Sequence, residues 1–108
     1  MVEPAITDAI RRYIESLRSR GIHPRQAVLF GSHSQGRADE WSDIDLIVVA
    51  PEFDADRSLH LQDEMWRAVK GTDDRIEPIA CGVIEWEQGD TGRTIVEIAR
   101  RDGVIITA

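Results

Sequence analysis

The sequence predicts one small α/β domain. Segments with apolar residues at three- and four-residue spacing alternate with short runs of branched apolar residues, and glycine or proline separates most of them. A length of 108 residues suffices for one hydrophobic core and leaves no room for a second domain with its own pocket. Hydrophobic residues at 42% and charged residues at 31% indicate a folded chain, and no stretch approaches the roughly 18 apolar residues of a membrane span.

The elements follow in order. From Pro4 to Leu17, residues Ile6, Ile10, Tyr13, Ile14 and Leu17 mark one helix face, with Pro4 suited to a first turn and Gly21 to a stop. After Pro24, the run Ala27-Val28-Leu29-Phe30 ends at Gly31 and reads as a buried strand. The polar segment Gly31 to Ser42 fits a compact turn or short helix, and Asp43 to Val49 a second strand ending at Ala50-Pro51. A helix is predicted over Asp56 to Lys70, closed by Gly71, with Met65 and Trp66 in the core. Arg75 to Cys81 reads as a strand that Pro78 assigns to an edge or an irregular pairing. One helical turn at Ile84 to Glu87, a helix over Thr91 to Arg101 stopped by Gly103, and a last strand at Val104 to Thr107 complete the list. No repeat or linker interrupts it, so residues 1–108 read as a single domain.

Charge narrows the partners. Thirteen basic residues against twenty acidic ones give a net charge of −7, which disfavours direct polynucleotide binding by this chain alone. A nucleoside triphosphate remains compatible, because a cation held by carboxylates reverses the local sign. Met1 to Thr7 lacks a secretory pattern and the lone Cys81 cannot form an internal disulfide, so a cytoplasmic location without membrane attachment is expected.

Two features carry chemistry. Asp43 and Asp45 stand two apart in a predicted strand, where alternation points both from one face while Ile44 and Leu46 take the other. Like charges this close repel, and a shared divalent cation removes that cost. A bare Asp-x-Asp is common at solvated strand starts, so the second feature matters more. The first strand runs straight into Gly31-Ser32, where glycine allows close backbone approach to an anion and a hydroxyl with N–H groups at a helix start can hold phosphate. Together with Gly36, this sets phosphate donors beside metal-binding carboxylates.

Leu29-Phe30-Gly31-Ser32, Gly36 and Ser42-Asp43-Ile44-Asp45-Leu46 resemble the signature of the nucleotidyltransferase superfamily typified by DNA polymerase beta, and within it the minimal nucleotidyltransferase branch. The resemblance implies a mixed sheet flanked by helices, two Mg²⁺ ions, and transfer of AMP from ATP to a hydroxyl with release of pyrophosphate. It implies nucleotide contacts from Gly31, Ser32, Gly36, Arg37 and Ser42, and metal and catalytic roles for Asp43 and Asp45. A third carboxylate in this family comes from a later strand, and Glu77 is the matching position, one methylene longer than the usual aspartate. Stand-alone members of the branch pair with a helical HEPN partner protein as toxin and antitoxin, the partner being adenylylated. A binding-only antitoxin of the same fold is the alternative.

This chain also departs from the pattern. His33 and Gln35 occupy loop positions that are often basic in the family, so Arg37 becomes the candidate to offset phosphate charge. Trp41 is a candidate cap for the base, and Asp73 and Asp74 are reserve candidates for the third carboxylate. Trp86, His23, His60 and Cys81 suggest no chemistry. An antibiotic nucleotidyltransferase would need an added substrate domain, and an Asp-x-Asp sugar transferase would leave Gly31-Ser32 without a role.

Overall fold

Each longer helix buries one flank, whereas the central strands bury both faces, and this difference sets the layers. A computed structural model describes residues 2–39, 41–55, 59–89 and 92–107. Its elements are α1 (Pro4–Ser19), β1 (Gln26–Phe30), β2 (Ile44–Val49), α2 (Glu52–Ala55), α3 (Leu59–Lys70), β3 (Ile76–Cys81), α4 (Val83–Gln88), α5 (Thr94–Asp102) and β4 (Val104–Thr107). The four strands form one mixed sheet in the order β3-β2-β1-β4. β1 lies antiparallel to both β2 and β4, while β2 and β3 run parallel and are joined through α2 and α3. A parallel pair needs such a crossover, because no tight turn can return the chain to the same end.

One sheet face carries Ala27 and Leu29 of β1, Ile44, Leu46 and Val48 of β2, and Ile76 of β3. It packs on Ile10, Tyr13, Ile14 and Leu17 of α1 and on Met65, Ala68 and Val69 of α3. The hydroxyl of buried Tyr13 donates to the Met65 carbonyl at 2.9 Å, fixing α1 to α3, and burial pushes its pKa far up. The opposite face is covered over a shorter length. There Val28, Ile47, Val49 and Cys81 meet Val83 of α4 and Val96 and Ala99 of α5. Towards the start of β2 and β3 this second layer gives way, and the next residues on that face are Asp45, half-buried, and Glu77, exposed.

The architecture agrees with the α/β expectation and the mixed sheet, with several local corrections. Asp43 immediately precedes β2 rather than belonging to it. The helix predicted over Asp56 to Lys70 is described as α3 from Leu59 onward, residues 56–58 lying outside the described set, and the helical residues of α2 ahead of them were not expected. Thr91 is likewise outside it, and α5 begins at Thr94. The turn expected at Ile84 to Glu87 is the longer helix α4. Trp66 is 48% exposed rather than core, because Met65, Ala68 and Val69 already define the buried flank of α3 and Trp66 projects to one side of it. Pro78 does sit on an edge strand, where its missing N–H interrupts no ladder. No helix among the described residues is long and apolar enough to cross a membrane.

The short α2 is held by the pairing of Glu52 with His23. The Glu52 carboxylate accepts from the His23 backbone N–H and pairs with His23 Nδ1, each at 3.0 Å. Burial pushes the Glu52 pKa up, but the hydrogen bonds and charge of His23 outweigh it and hold the group below its ordinary value of 4.5. A carboxylate with a lowered folded pKa adds stability above its unfolded pKa and loses it as pH falls through the folded one. Glu52→Gln should therefore cost about 1 kcal/mol near pH 7, and its deficit relative to the unmutated protein should shrink below about pH 4 in urea unfolding. A deficit that stays constant with pH would deny the ionised pair that role.

Candidate active site

The site is built where β1 stops. The chain leaves Phe30 through Gly31, whose φ of +75° is a left-handed conformation that disfavours any side chain. A Cβ at Gly31 would also come within 2.5 Å of Asp45 Oδ2. Glycine here has two reasons that the sequence did not distinguish: the turn needs it, and the Asp45 carboxylate lies where a side chain would be.

The following loop is a succession of turns, one of the two forms expected for it, and its N–H groups do not stand at a helix start. Ser34 Oγ donates to the Gly31 carbonyl at 2.7 Å, and the N–H groups of Gln35 and Arg37 donate to the Ser32 carbonyl at 3.2 and 3.0 Å. The loop reverses at Gly36, with φ +70°. Ser32 is half-buried, whereas Gly36 and Arg37 are exposed. Ser42 is engaged within the loop: its Oγ donates to Asp39 Oδ1 at 3.2 Å and accepts the Asp39 N–H at 3.1 Å, while the Trp41 N–H donates to the same Oδ1 at 2.9 Å. His33 Nε2–H donates to the Ser42 carbonyl at 3.3 Å, joining the two ends of the loop. Asp39 and His33 thus act as a latch ahead of Asp43. The Asp-x-x-Ser spacing of residues 39 to 42 was the available signal for it. Trp41 is 82% exposed and covers nothing.

Three carboxylates gather beside this loop. In the sheet register Asp45 stands between Phe30 of β1 and Glu77 of β3, so Asp45 and Glu77 share a face. Ile44 and Leu46 on the alternate face are fully buried, as the alternation predicted. Burial raises the Asp45 pKa, and the charge of Asp43 raises it further against the opposing influences of His33 and Glu77. Partial burial likewise raises the Glu77 pKa, followed by the charges of Asp43 and Asp45, and Glu77 lies within hydrogen-bonding reach of both. The three residues therefore interact even though Asp43 lies outside the strand.

The reserve candidates fare differently. Asp73 is bound by the Arg75 guanidinium, Nε to Oδ1 at 3.1 Å and Nη2 to Oδ2 at 2.8 Å, and those bonds hold its carboxyl below the usual range. Asp74 is exposed. The chemistry of Asp43, Asp45 and Glu77, hard oxygen donors gathered so that the charge of Asp43 bears on both others, suits a divalent cation. As the side chains stand, no group of three or more His, Cys, Asp or Glu among the described residues forms a ready-made metal cage, so holding an ion would take side-chain rotation.

A turn that brings backbone close to a carboxylate cluster, on the open end of a mixed sheet flanked by helices, is an arrangement suited to nucleotide chemistry. No curated protein matched the chain. A family model described as nucleotidyltransferase domain matches residues 10–99, a span that runs from α1 into α5 and contains the loop and all three carboxylates. The chain therefore belongs to the nucleotidyltransferase domain family.

Proposed function

We propose that this chain transfers AMP from ATP to a hydroxyl of a partner protein, as the antitoxin of a HEPN/MNT toxin–antitoxin pair in the cytoplasm. The observation that carries the reading is the convergence of Asp43, Asp45 and Glu77 beside the Gly31-Ser32 turn. The exposure of Asp43 and Glu77 at the end of that sheet face supports an acceptor supplied from outside. The pairing with a helical HEPN protein rests on the family resemblance of the motif.

Asp43, Asp45 and Glu77 would hold two Mg²⁺ ions, which when bound offset carboxylate and phosphate charge. The chain's own groups do the rest. Backbone at Gly31 and Ser32, with Gly36 and Arg37 further round the loop, binds the triphosphate, and Ser42 supports it by fixing the loop. Glu77 accepts the proton of the acceptor hydroxyl as its oxygen bonds the α-phosphorus and pyrophosphate leaves.

Calorimetry should find Mg²⁺ and ATP binding together to the unmutated protein, and joint binding lost in the Asp43→Asn, Asp45→Asn double variant with the fold retained. Unchanged metal-dependent affinity would remove these residues from the site. At the turn, Gly31→Val should lose ATP affinity and also stability, since it places a side chain at φ +75° and against Asp45. Ser32→Ala should fold normally and weaken ATP binding less. Unaltered affinity in both, measured on folded protein, would leave the loop without a phosphate role.

The decisive experiment follows α-labelled ATP. Glu77→Gln should bind Mg²⁺ and ATP nearly normally and label the partner protein at least ~100-fold more slowly, the scale of a lost general base. Full activity in that variant would make Glu77 a bystander. An unmutated protein that transfers no label yet still silences its partner would be the binding-only antitoxin.

A further inference from the structure

The sheet has two edges, and they are protected differently. At β3, the bonds from the Ile44 N–H to the Arg75 carbonyl (2.8 Å) and from the Ala50 N–H to the Cys81 carbonyl (3.0 Å) fix the alternation. Residues 75, 77, 79 and 81 turn their backbone groups to β2, and Ile76, Pro78 and Ala80 turn theirs outward. That outward row is blunted. The Ile76 N–H bonds to the Asp73 carbonyl at 3.1 Å, Pro78 has no N–H, and the Ala80 carbonyl receives Arg93 Nη1 at 3.0 Å. The edge strand β4, Val104-Ile105-Ile106-Thr107, has no proline and no charge, and no strand pairs with its outer side among the described residues.

An apolar flank accompanies the bare edge. Val96 and Ala99 of α5 face the sheet. Arg93 and Arg100 lie on the flank turned to α4, where Arg93 Nη1 meets Glu85 at 3.1 Å and the Arg100 guanidinium stands 5.7 Å from the Trp86 ring centre. At 100° per residue, Ile95, Ile98 and Asp102 fall on the opposite flank, towards β4. Ile105 shares that sheet face because it pairs with Val28, which packs under α5. The exposures of 37% for Ile95, 41% for Ile98 and 56% for Ile105 therefore belong to one strip along the edge.

We propose that two copies of this chain join along this strip, β4 against β4 antiparallel about a two-fold axis, in one continuous sheet with the two α5 helices side by side. The charges suit a second copy. The two-fold sets the helices antiparallel, so each Asp102, at a helix C-terminus, faces the N-terminal end of the other α5, where the helix dipole is positive and, among the described residues, no side chain caps the backbone. The rest of the strip is uncharged, so chains of net charge −7 meet there without setting like charges in contact. This inference stands independently of the proposed transfer reaction.

Sedimentation velocity and light scattering on the full chain, from about 1 to 100 μM, test it. The unmutated protein should reach twice the chain mass. Ile105→Lys, and separately Ile98→Glu at the partly exposed flank of α5, should each weaken association at least ~10-fold while circular dichroism remains unchanged. Mild oxidation of Ile105→Cys should give a disulfide-linked dimer, and Cys81, being buried, should not react. A chain that stays monomeric throughout, or variants that associate as well as the unmutated protein, would overturn the proposal. So would a chain that gains mass only when a different protein is added, which would assign the edge to that protein.

Discussion

Asp45 is a carboxylate half-withdrawn from water at the end of a sheet, with Gly31 against it on one side and Glu77 in register on the other. Its position constrains everything around it. The first strand must end in a residue without a Cβ, the chain must turn with positive φ, and the loop beyond must return to deliver Asp43 to the same place. The latch of His33, Asp39 and Ser42 is how that return is fixed locally, with hydrogen bonds spanning no more than nine residues.

The two helical layers serve different ends. α1 and α3 cover their face of the sheet over its length and are tied by Tyr13 to Met65, giving a rigid support behind β2. α4 and α5 are shorter, and where they stop the sheet face becomes acidic rather than apolar. Repulsion among the carboxylates is thus concentrated at the least covered part of the protein, where solvent limits the electrostatic cost.

Much of this was legible in the sequence. The alternation of Ile44 and Leu46 with Asp45 identified the buried and open faces, and Pro78 identified an edge strand, because both depend on local rules of pleat and hydrogen bonding. That Asp43, Asp45 and Gly31 come together was expected from the joint spacing of the two motifs and the family resemblance they carry. What escaped depended on contacts distant in sequence. Trp66 was assigned to the core because its hydrophobicity fits either flank of α3, and only the arrival of α1 on the Met65 side decides which is buried. The binding of Asp73 to Arg75 could have been guessed from their spacing, but not that Glu77, rather than Asp73, stands in register beside Asp45. The short helix α2 was not expected, and the His23–Glu52 pair that holds it links positions 29 residues apart.

The uncovered end of the sheet has a consequence for selectivity. On the proposed reading, an activated phosphate held there would be open to the bulk, and water at its solution concentration is a nucleophile that no described residue is placed to exclude. A partner docking across the carboxylates would then have to do more than present a hydroxyl. By expelling solvent it would decide whether the nucleotide is transferred or merely hydrolysed, so fidelity would reside in the fit between two surfaces rather than in the loop or the carboxylates themselves.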